Sequence, residues 1–196
     1  MRFRILGPLE VVVADQRLRL AGMRQRTILA LLLLEAGRVV AVDRLVTAVW
    51  DQSPPSSARQ QIRICVSGLR RALREAGLPG VIVTQPPGYR AQVEFDDVDV
   101  EIFERRVSDA RRAAADGHNT AAVAELRAAL GLWRGPALEG ITSPVIQGAA
   151  ARLDERRMMV LEETIEHELG LGRHHELVGE LLELVAGHPL RERLRG

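Results

Sequence analysis

The sequence contains no lysine, and all 27 of its basic side chains are arginine. A Schiff-base enzyme needs a lysine amine, and a P-loop that binds nucleotide phosphates needs a lysine next to its glycines. Both kinds of site are therefore excluded. Because a GC-rich genome also favours arginine over lysine, only the position of an arginine can argue for a role.

Cysteine and long apolar segments are also scarce. Cys65 is the single cysteine, so neither an intrachain disulfide nor a cysteine cluster for zinc can form, and we predict that it fills space in the core. The longest apolar run, Ile28 to Leu34, is far too short to span a bilayer. The first residues, MRFRILGPLEVVV, lack the cleavage site of a signal peptide. We therefore expect a cytoplasmic protein with no membrane partner.

Residues that carry enzymatic or metal chemistry form no convincing pattern. His167, His174 and His175 invite a metal site, but the segment HELVG lacks the second histidine of a zinc-protease helix. The four glutamates between positions 162 and 168 fit the solvent-facing side of an amphipathic helix. We expect no cofactor and no metal, and we predict that the protein is not an enzyme.

Charge is distributed unevenly along the 196 residues. Residues 1–93 hold 14 arginines and 6 acids, a net charge of +8, whereas residues 94–196 hold 13 arginines and 20 acids, a net charge of −7. A basic half joined to an acidic half is typical of a nucleic-acid module followed by a protein-contacting module. We place the boundary between two domains, 1–95 and 96–196, at this change of character.

The segment Ser57–Glu75 predicts a helix with two unlike faces. At about 100° per residue, four apolar residues fall within roughly 60° of one another and need a protein core. The opposite arc is about 140° wide and carries no acid before Glu75. The apolar stripe is Ile62, Val66, Leu69 and Leu73, and the polar arc is Arg59, Gln60, Arg63, Ile64, Ser67, Arg70, Arg71 and Arg74.

A long, regular anion is the partner that this polar arc requires. In the major groove of DNA, arginine pairs bidentately with guanine, glutamine pairs with adenine, and an apolar tip touches a thymine methyl group. We interpret the segment as a DNA recognition helix. The alternative is the solvated face of an ordinary surface helix.

The neighbouring segments favour a winged helix-turn-helix. Alternating residues over 3–6, 9–13 and 17–20 predict an antiparallel sheet, and apolar periodicity predicts helices over 23–35 and 42–50. Ser56 or Ser57 can cap the third helix. Strands over 81–84 and 89–93 enclose the turn QPPG and form a hairpin wing. In this fold the third helix enters the major groove, and the wing contacts the DNA backbone or the minor groove.

The second half of the chain predicts helices alone. Apolar residues have helical spacing over 98–115, 120–133, 146–169 and 175–186. Helix pairs joined by glycine-containing turns resemble tetratricopeptide-type repeats, whose surfaces commonly bind protein, although the strict repeat is absent. The alternative is a bundle that stabilises or dimerises the first domain. The predicted fold class is an α+β winged helix-turn-helix of the response-regulator type, with an N-terminal β-sheet, followed by an all-α tetratricopeptide-like domain.

Nine segments carry a resemblance to a known family. The first half contains LGPLEV (6–11), RQRTILALLLLEAGRVV (24–40), DRLVTAVW (43–50), VSGLRRALREAG (66–77) and VTQPPGY (83–89). The second half contains FERRVSDARRAAADG (103–117), LRAALGLWRGPALEG (126–140), RLDERR (152–157) and HPLRERLRG (188–196). In this order and spacing they resemble the Streptomyces antibiotic regulatory protein (SARP) family. Its members are transcriptional activators with a winged helix and a helical bacterial transcriptional activation domain.

The resemblance implies an activator of secondary-metabolite, or antibiotic, biosynthesis genes. Such an activator binds direct repeats in double-stranded promoter DNA and recruits RNA polymerase, including its sigma factor. A homodimer and a head-to-tail assembly on DNA are both compatible with it, and a nucleoid-associated location follows. The family's helical domain normally continues beyond HPLRERLRG, so we expect a fragment truncated at its C-terminus. Two other functions stay open: a helical scaffold for protein contacts, and a repressor that occludes a promoter.

The resemblance also implies roles for individual residues. Matching positions make Arg63, Ser67 and Arg70 base-reading residues, and they make Arg71 and Arg74 phosphate contacts. Two further phosphate contacts, Arg24 and Arg26, lie at the start of the first helix. In the wing, Gln85 stands where many relatives have arginine, Arg90 is the alternative source of charge, and Tyr89 is expected to pack the wing against the body.

Overall fold

The computed structural model describes residues 2–174 and 177–179. Two three-stranded antiparallel sheets, in the orders β1-β2-β3 and β4-β6-β5, flank three helices, and further helices follow. The strands are β1 (Phe3–Arg4), β2 (Glu10–Val13), β3 (Gln16–Arg17), β4 (Val40–Ala41), β5 (Ile82–Gln85) and β6 (Gly88–Ala91). The helices are α1 (Gly22–Leu34), α2 (Val42–Trp50), α3 (Ala58–Glu75), α4 (Asp99–Ala115), α5 (Asn119–Leu130) and α6 (Pro144–Gly170).

This order confirms the predicted winged helix-turn-helix with an N-terminal sheet, followed by a helical region. The short strand β4 was not predicted, because two residues carry no readable alternation; it pairs Val40 with Tyr89 of the wing. The strand predicted over 3–6 ends at Arg4, since the N–H groups of Ile5 and Leu6 bond to a side chain instead of a neighbouring strand. Most of the helix predicted over 175–186 lies outside the described residues.

The core of the winged helix forms around α1. Every residue from Thr27 to Leu33 is buried, which explains the nearly continuous apolar run: this part of the helix has no solvent-facing side that polar residues would occupy. The apolar stripe of α3 joins the same core, as predicted. Its four members are almost completely inaccessible to solvent, so they orient α3 and leave the rest of the helix facing outward.

The chain forms two compact units, and each takes residues from separate stretches. The first consists of residues 1–102 and 133–154, and the second of residues 103–132 and the described residues from 155 onward. Helices α4 and α6 therefore contribute residues to both units. The predicted boundary at residues 95 and 96 follows a different criterion, the change of charge and composition, and stays a prediction about functional modules.

A buried carboxylate fixes the N-terminal sheet within the first unit. Asp99 is inaccessible to solvent and accepts hydrogen bonds from the backbone N–H of Ile5 at 2.8 Å and of Leu6 at 3.0 Å. Burial raises the pKa of Asp99, while these two donors and the guanidinium of Arg134 oppose the increase. The Arg134 side chain lies 3.7 Å from Asp99 and 3.0 Å from Glu10.

Backbone contacts add to this anchor. Arg134 N–H donates to the carbonyl of Leu6 at 2.9 Å, and Leu138 N–H donates to the carbonyl of Ile5 at 3.0 Å. Gly7 makes the close approach feasible: its φ is +138°, and a Cβ at this position would lie 3.0 Å from the Cβ of Arg134. Residues 133–141 are in this way part of the first unit.

Arginine–glutamate pairs connect the helices of the second unit. Arg111 binds Glu163 through two hydrogen bonds of 2.9 and 2.7 Å, and this contact lowers the pKa of Glu163. Arg156 binds Glu104 in the same bidentate manner at 3.0 and 2.8 Å. These arginines and glutamates of the acidic half are therefore paired with each other within the chain.

We predict that Asp99→Ala destabilises the first unit by about 3 kcal/mol, because it leaves two buried N–H donors without their acceptor and removes one of the two carboxylates beside Arg134. Urea unfolding monitored by circular dichroism measures the loss. The control is Asp116→Ala, which removes an exposed carboxylate and should change stability by less than about 0.5 kcal/mol. Equal stability of the two variants would contradict the anchoring role of Asp99.

Candidate nucleic-acid interface

Helix α3 starts without a side-chain cap. The residue before it is Ser57, but its hydroxyl accepts a hydrogen bond from Gln61 Nε2 at 2.9 Å and caps no backbone N–H. The predicted capping role of Ser56 or Ser57 is therefore wrong. The first turn is closed instead by backbone bonds, including Ala58 N–H to the carbonyl of Pro55 at 2.9 Å.

Most of the polar arc of α3 is open to solvent. Ile64 has 61% of its surface exposed, although it is strongly apolar. Among the residues that the structure describes, four arginines of the arc form no ion pair; Arg70 is half-buried, and the other three are exposed. The exposed members of the arc without an intramolecular ion pair are Gln60, Arg63, Ile64, Ser67, Arg71 and Arg74.

The arginines of this arc are poorly compensated by the protein itself. Like charges three or four positions apart on a helix repel each other by a few tenths of a kcal/mol, as at Arg70, Arg71 and Arg74. No acid stands in the first turn of α3. A bound polyanion would relieve this repulsion, so the arc has the electrostatics of an anion-binding surface.

Two predicted members of the arc are held by contacts within the protein. Arg59 forms an exposed ion pair with Asp43 of α2, with an N–O distance of 2.6 Å. Arg70 is half-buried and bonds to the wing. At about 100° per residue, both lie at the edge of the arc beside the apolar stripe, where a side chain reaches neighbouring elements.

Arg70 makes three contacts with the wing. Its Nε donates to the carbonyl of Ile82 at 2.9 Å, and its Nη2 donates to the hydroxyl of Thr84 at 2.8 Å. Its guanidinium also lies 5.7 Å from the centre of the Tyr89 ring, within the range of a cation–π interaction. Thr84 and Tyr89 are directly paired across β5 and β6, so their side chains project from the same face.

The wing hairpin places its other predicted residues differently. Gln85 is exposed beside the Pro86-Pro87 turn, where it can reach a ligand. Arg90 is half-buried and lies opposite Val83, on the other face from Tyr89, and its Nε has no hydrogen-bond partner among the described residues. Tyr89 is only 8% exposed and belongs to the core, which confirms that it packs the wing against the body.

The two arginines of α1 lie in different surroundings. Arg24 donates to Gln61 Oε1 of α3 at 2.8 Å and stacks on Trp50 at 5.2 Å, so its guanidinium lies beside α3. Arg26 instead lines an open groove of about 340 Å³ with residues 8–10 and 17–20 of the N-terminal sheet region. The residues that line this groove include none from α3.

Sequence reasoning missed several residues of other elements that meet α3. Asp43, Thr84 and Gln25 lie on other elements, and nothing in their local pattern indicates that they meet α3. Gly68 is the point of close approach to α1, because a Cβ there would lie 2.6 Å from Gln25 Nε2. Cys65 packs against the core as predicted, and burial raises the pKa of its thiol although Arg24 opposes the increase.

The described part of the chain contains no group of three histidine, cysteine, aspartate or glutamate residues arranged to bind a metal ion. Within the same residues, no helix combines the length and the apolar character that a bilayer crossing requires.

We predict that Gly88→Ala disrupts the wing, because a Cβ at this position would lie 1.9 Å from the carbonyl oxygen of Val40. Since that atom belongs to the backbone of β4, relief requires breaking the β4–β6 pairing, and we expect a loss of about 2 kcal/mol or more. Thermal unfolding measures it. Gly148→Ala is the control: nothing lies near its Cβ position in α6, so stability should stay equal or rise.

Two protein-family models match the chain. The model described as the C-terminal domain of transcriptional regulatory proteins matches residues 15–91, and the bacterial transcriptional activator domain matches residues 98–196. They follow each other in the order that the sequence predicts. Together they cover both the winged helix with its α3 arc and the helical second half.

Curated relatives align with nearly the whole chain. Transcriptional regulatory protein MoaR1 of Mycobacterium tuberculosis is 36% identical over 198 residues, which cover 99% of this chain and 64% of that protein. Regulatory protein DnrI of Streptomyces peucetius is 35% identical over 202 residues, covering 99% and 74%. The chain thus spans slightly less than two thirds of MoaR1 and about three quarters of DnrI.

A solved structure extends the comparison to the fold. Mycobacterium tuberculosis EmbR, in complex with a low-affinity phosphopeptide, superposes with a TM-score of 0.94 at 35% identity, covering 98% of this chain and 52% of that one. The names of the relatives describe transcriptional regulators and not enzymes, in agreement with the prediction from the sequence. The chain belongs to the Streptomyces antibiotic regulatory protein family of transcriptional regulators.

Proposed function

We propose that this protein is a sequence-specific DNA-binding activator of secondary-metabolite biosynthesis genes. The observation that carries the proposal is the exposed arc of α3, where Arg63, Arg71 and Arg74 lie without ion pairs among the described residues. Family membership supports the same function. The first half of the chain, with a net charge of +8, would attract DNA over a longer range.

The arc divides into base-reading and phosphate-binding parts. Arg63 and Ser67, one helical turn apart, read base edges, and Gln60 and Ile64 continue the same surface toward the solvent-facing edge of the arc. Arg71 and Arg74 bind phosphates. Arg24 also binds a phosphate, because it lies beside α3.

The remaining predicted DNA contacts lie at the margins of this surface. Gln85 reaches the DNA backbone from the tip of the wing. Arg59 contributes by exchanging Asp43 for a phosphate oxygen, which costs little because their ion pair is exposed. Arg26 and Arg90 are weaker candidates, since one lines a groove of the N-terminal sheet region and the other is half-buried away from the wing tip.

Activation follows from holding a partner near the promoter. In this proposal residues 1–95 bind direct repeats in promoter DNA, in the nucleoid of the cytoplasm, and residues 96–196 contact RNA polymerase or its sigma factor. The effective concentration of polymerase at the promoter then rises without any chemical step. Direct repeats favour head-to-tail neighbours over a two-fold dimer, because each copy meets its site in the same orientation.

Selection of random duplex DNA by the purified chain at about 150 mM salt tests this function directly. Enriched tandem repeats would support specific head-to-tail binding, and transcription with purified polymerase would then separate an activator from a repressor that occludes the promoter. Retention without enrichment would mean binding by charge alone. No retention would favour the alternative, a scaffold for protein contacts.

We predict that Arg63→Ala weakens binding to the selected sequence by roughly 1–3 kcal/mol and hardly affects random DNA, because it removes a base contact. Arg74→Ala should weaken both DNAs alike. The matched control is Arg152→Ala, which removes an exposed helical arginine of α6 and should leave both affinities unchanged. Fluorescence anisotropy measures all three variants. Equal losses for Arg63→Ala on both DNAs would make Arg63 a phosphate contact.

A further inference from the structure

We propose that Arg70 is a positioning residue, which together with Thr84 holds the wing in register with the reading surface of α3. This inference rests on the proposed DNA binding. It replaces the base-reading role that family resemblance implies for Arg70 with a role inside the protein.

The contacts of Arg70 engage much of its guanidinium. The edge formed by Nε and Nη2 donates to the carbonyl of Ile82 and the hydroxyl of Thr84, and one face lies over the ring of Tyr89. Moving the group to a base edge would break both hydrogen bonds and the ring contact. Its neighbours on the arc, Arg63 and Arg74, form no such contacts with the rest of the described chain.

The wing needs a tie of this kind because β5 is an edge strand. It pairs with β6 on one side, while β4, at the other edge of the sheet, holds β6 at Tyr89 and Gly88. Between α3 and β5, the Arg70 side chain supplies two hydrogen bonds from helix to strand. Without them, the wing tip at Gln85 could change its angle to the arc.

The location of this tie couples the two DNA-contacting parts. Arg70 lies one helical turn before Arg74 on the same arc, and Thr84 is next to Gln85 at the wing tip. A shift of the wing would therefore change the distance between the contact of Gln85 with the DNA backbone and the contacts of α3 with the bases. When several contacts must form at the same time, misplacing one of them by about 1 Å weakens the affinity of the whole site.

The partners of Arg70 are uncharged, which separates this contact from an ordinary ion pair. A carbonyl, a hydroxyl and an aromatic ring hold the guanidinium without neutralising it. The positive charge still adds to the field that attracts DNA. Arg59, in contrast, is paired with the carboxylate of Asp43.

A double-mutant cycle on the selected DNA tests the proposal. Thr84→Val removes one hydrogen bond and no charge, and we expect about a three- to tenfold loss of affinity. Arg70→Ala should lose more, and the double variant should bind no more weakly than Arg70→Ala, because Thr84 then has no partner to lose. In the control cycle, Arg74→Ala and Thr84→Val should be additive, and Thr84→Ser should restore affinity because it keeps the hydroxyl.

Hydrogen exchange of the DNA-free chain gives a second readout. Arg70→Ala and Thr84→Val should both speed exchange of wing amides, whereas Arg74→Ala should not. Additive losses in the first cycle, or a change confined to one base position on Arg70→Ala, would overturn the positioning role. Failure of the parent chain to select any DNA would instead refute the proposed function, and faster exchange would still establish the tie.

Discussion

Burial of one narrow apolar stripe on α3 determines the properties of the whole interface. Once Ile62, Val66, Leu69 and Leu73 enter the core, the helical repeat leaves no choice about where the other side chains point. Most of the opposite arc faces solvent, and only the edge with Arg59 and Arg70, beside the apolar stripe, faces neighbouring elements. The orientation of α3 about its axis therefore explains both sets of arginines: those that face solvent without protein contacts, and those at the edge that contact other elements.

This dependence explains how much the sequence could predict. The winged helix, the bounds of α2 and the buried stripe of α3 could be read in advance, because each is a periodic signal repeated over two turns or more. A strand of two residues such as β4 has too few positions for a period. The missing cap at Ser57 depends on Gln61, a competitor that propensity does not weigh against the backbone.

In the candidate site, too, the periodic features could be predicted and the contacts between elements could not. Periodicity identified which residues of α3 share the outward face, but it could not reveal that Arg59 meets Asp43 or that Arg70 meets Thr84, since these contacts join elements that are distant in sequence. Family resemblance assigned roles by matching positions and carried no information about such contacts. Side chains at the edge of a helical face are therefore the ones whose roles most need a structure.

The separate stretches that form the first unit have a consequence for synthesis on the ribosome. Ile5 and Leu6 meet Asp99 and residues 134–138, and Leu138, Ile141 and Ile146 belong to the same core as α1. That core can be completed only after residue 146 has left the exit tunnel, when residues 103–132 have already emerged. The first unit therefore finishes folding with a segment of the second already outside the ribosome.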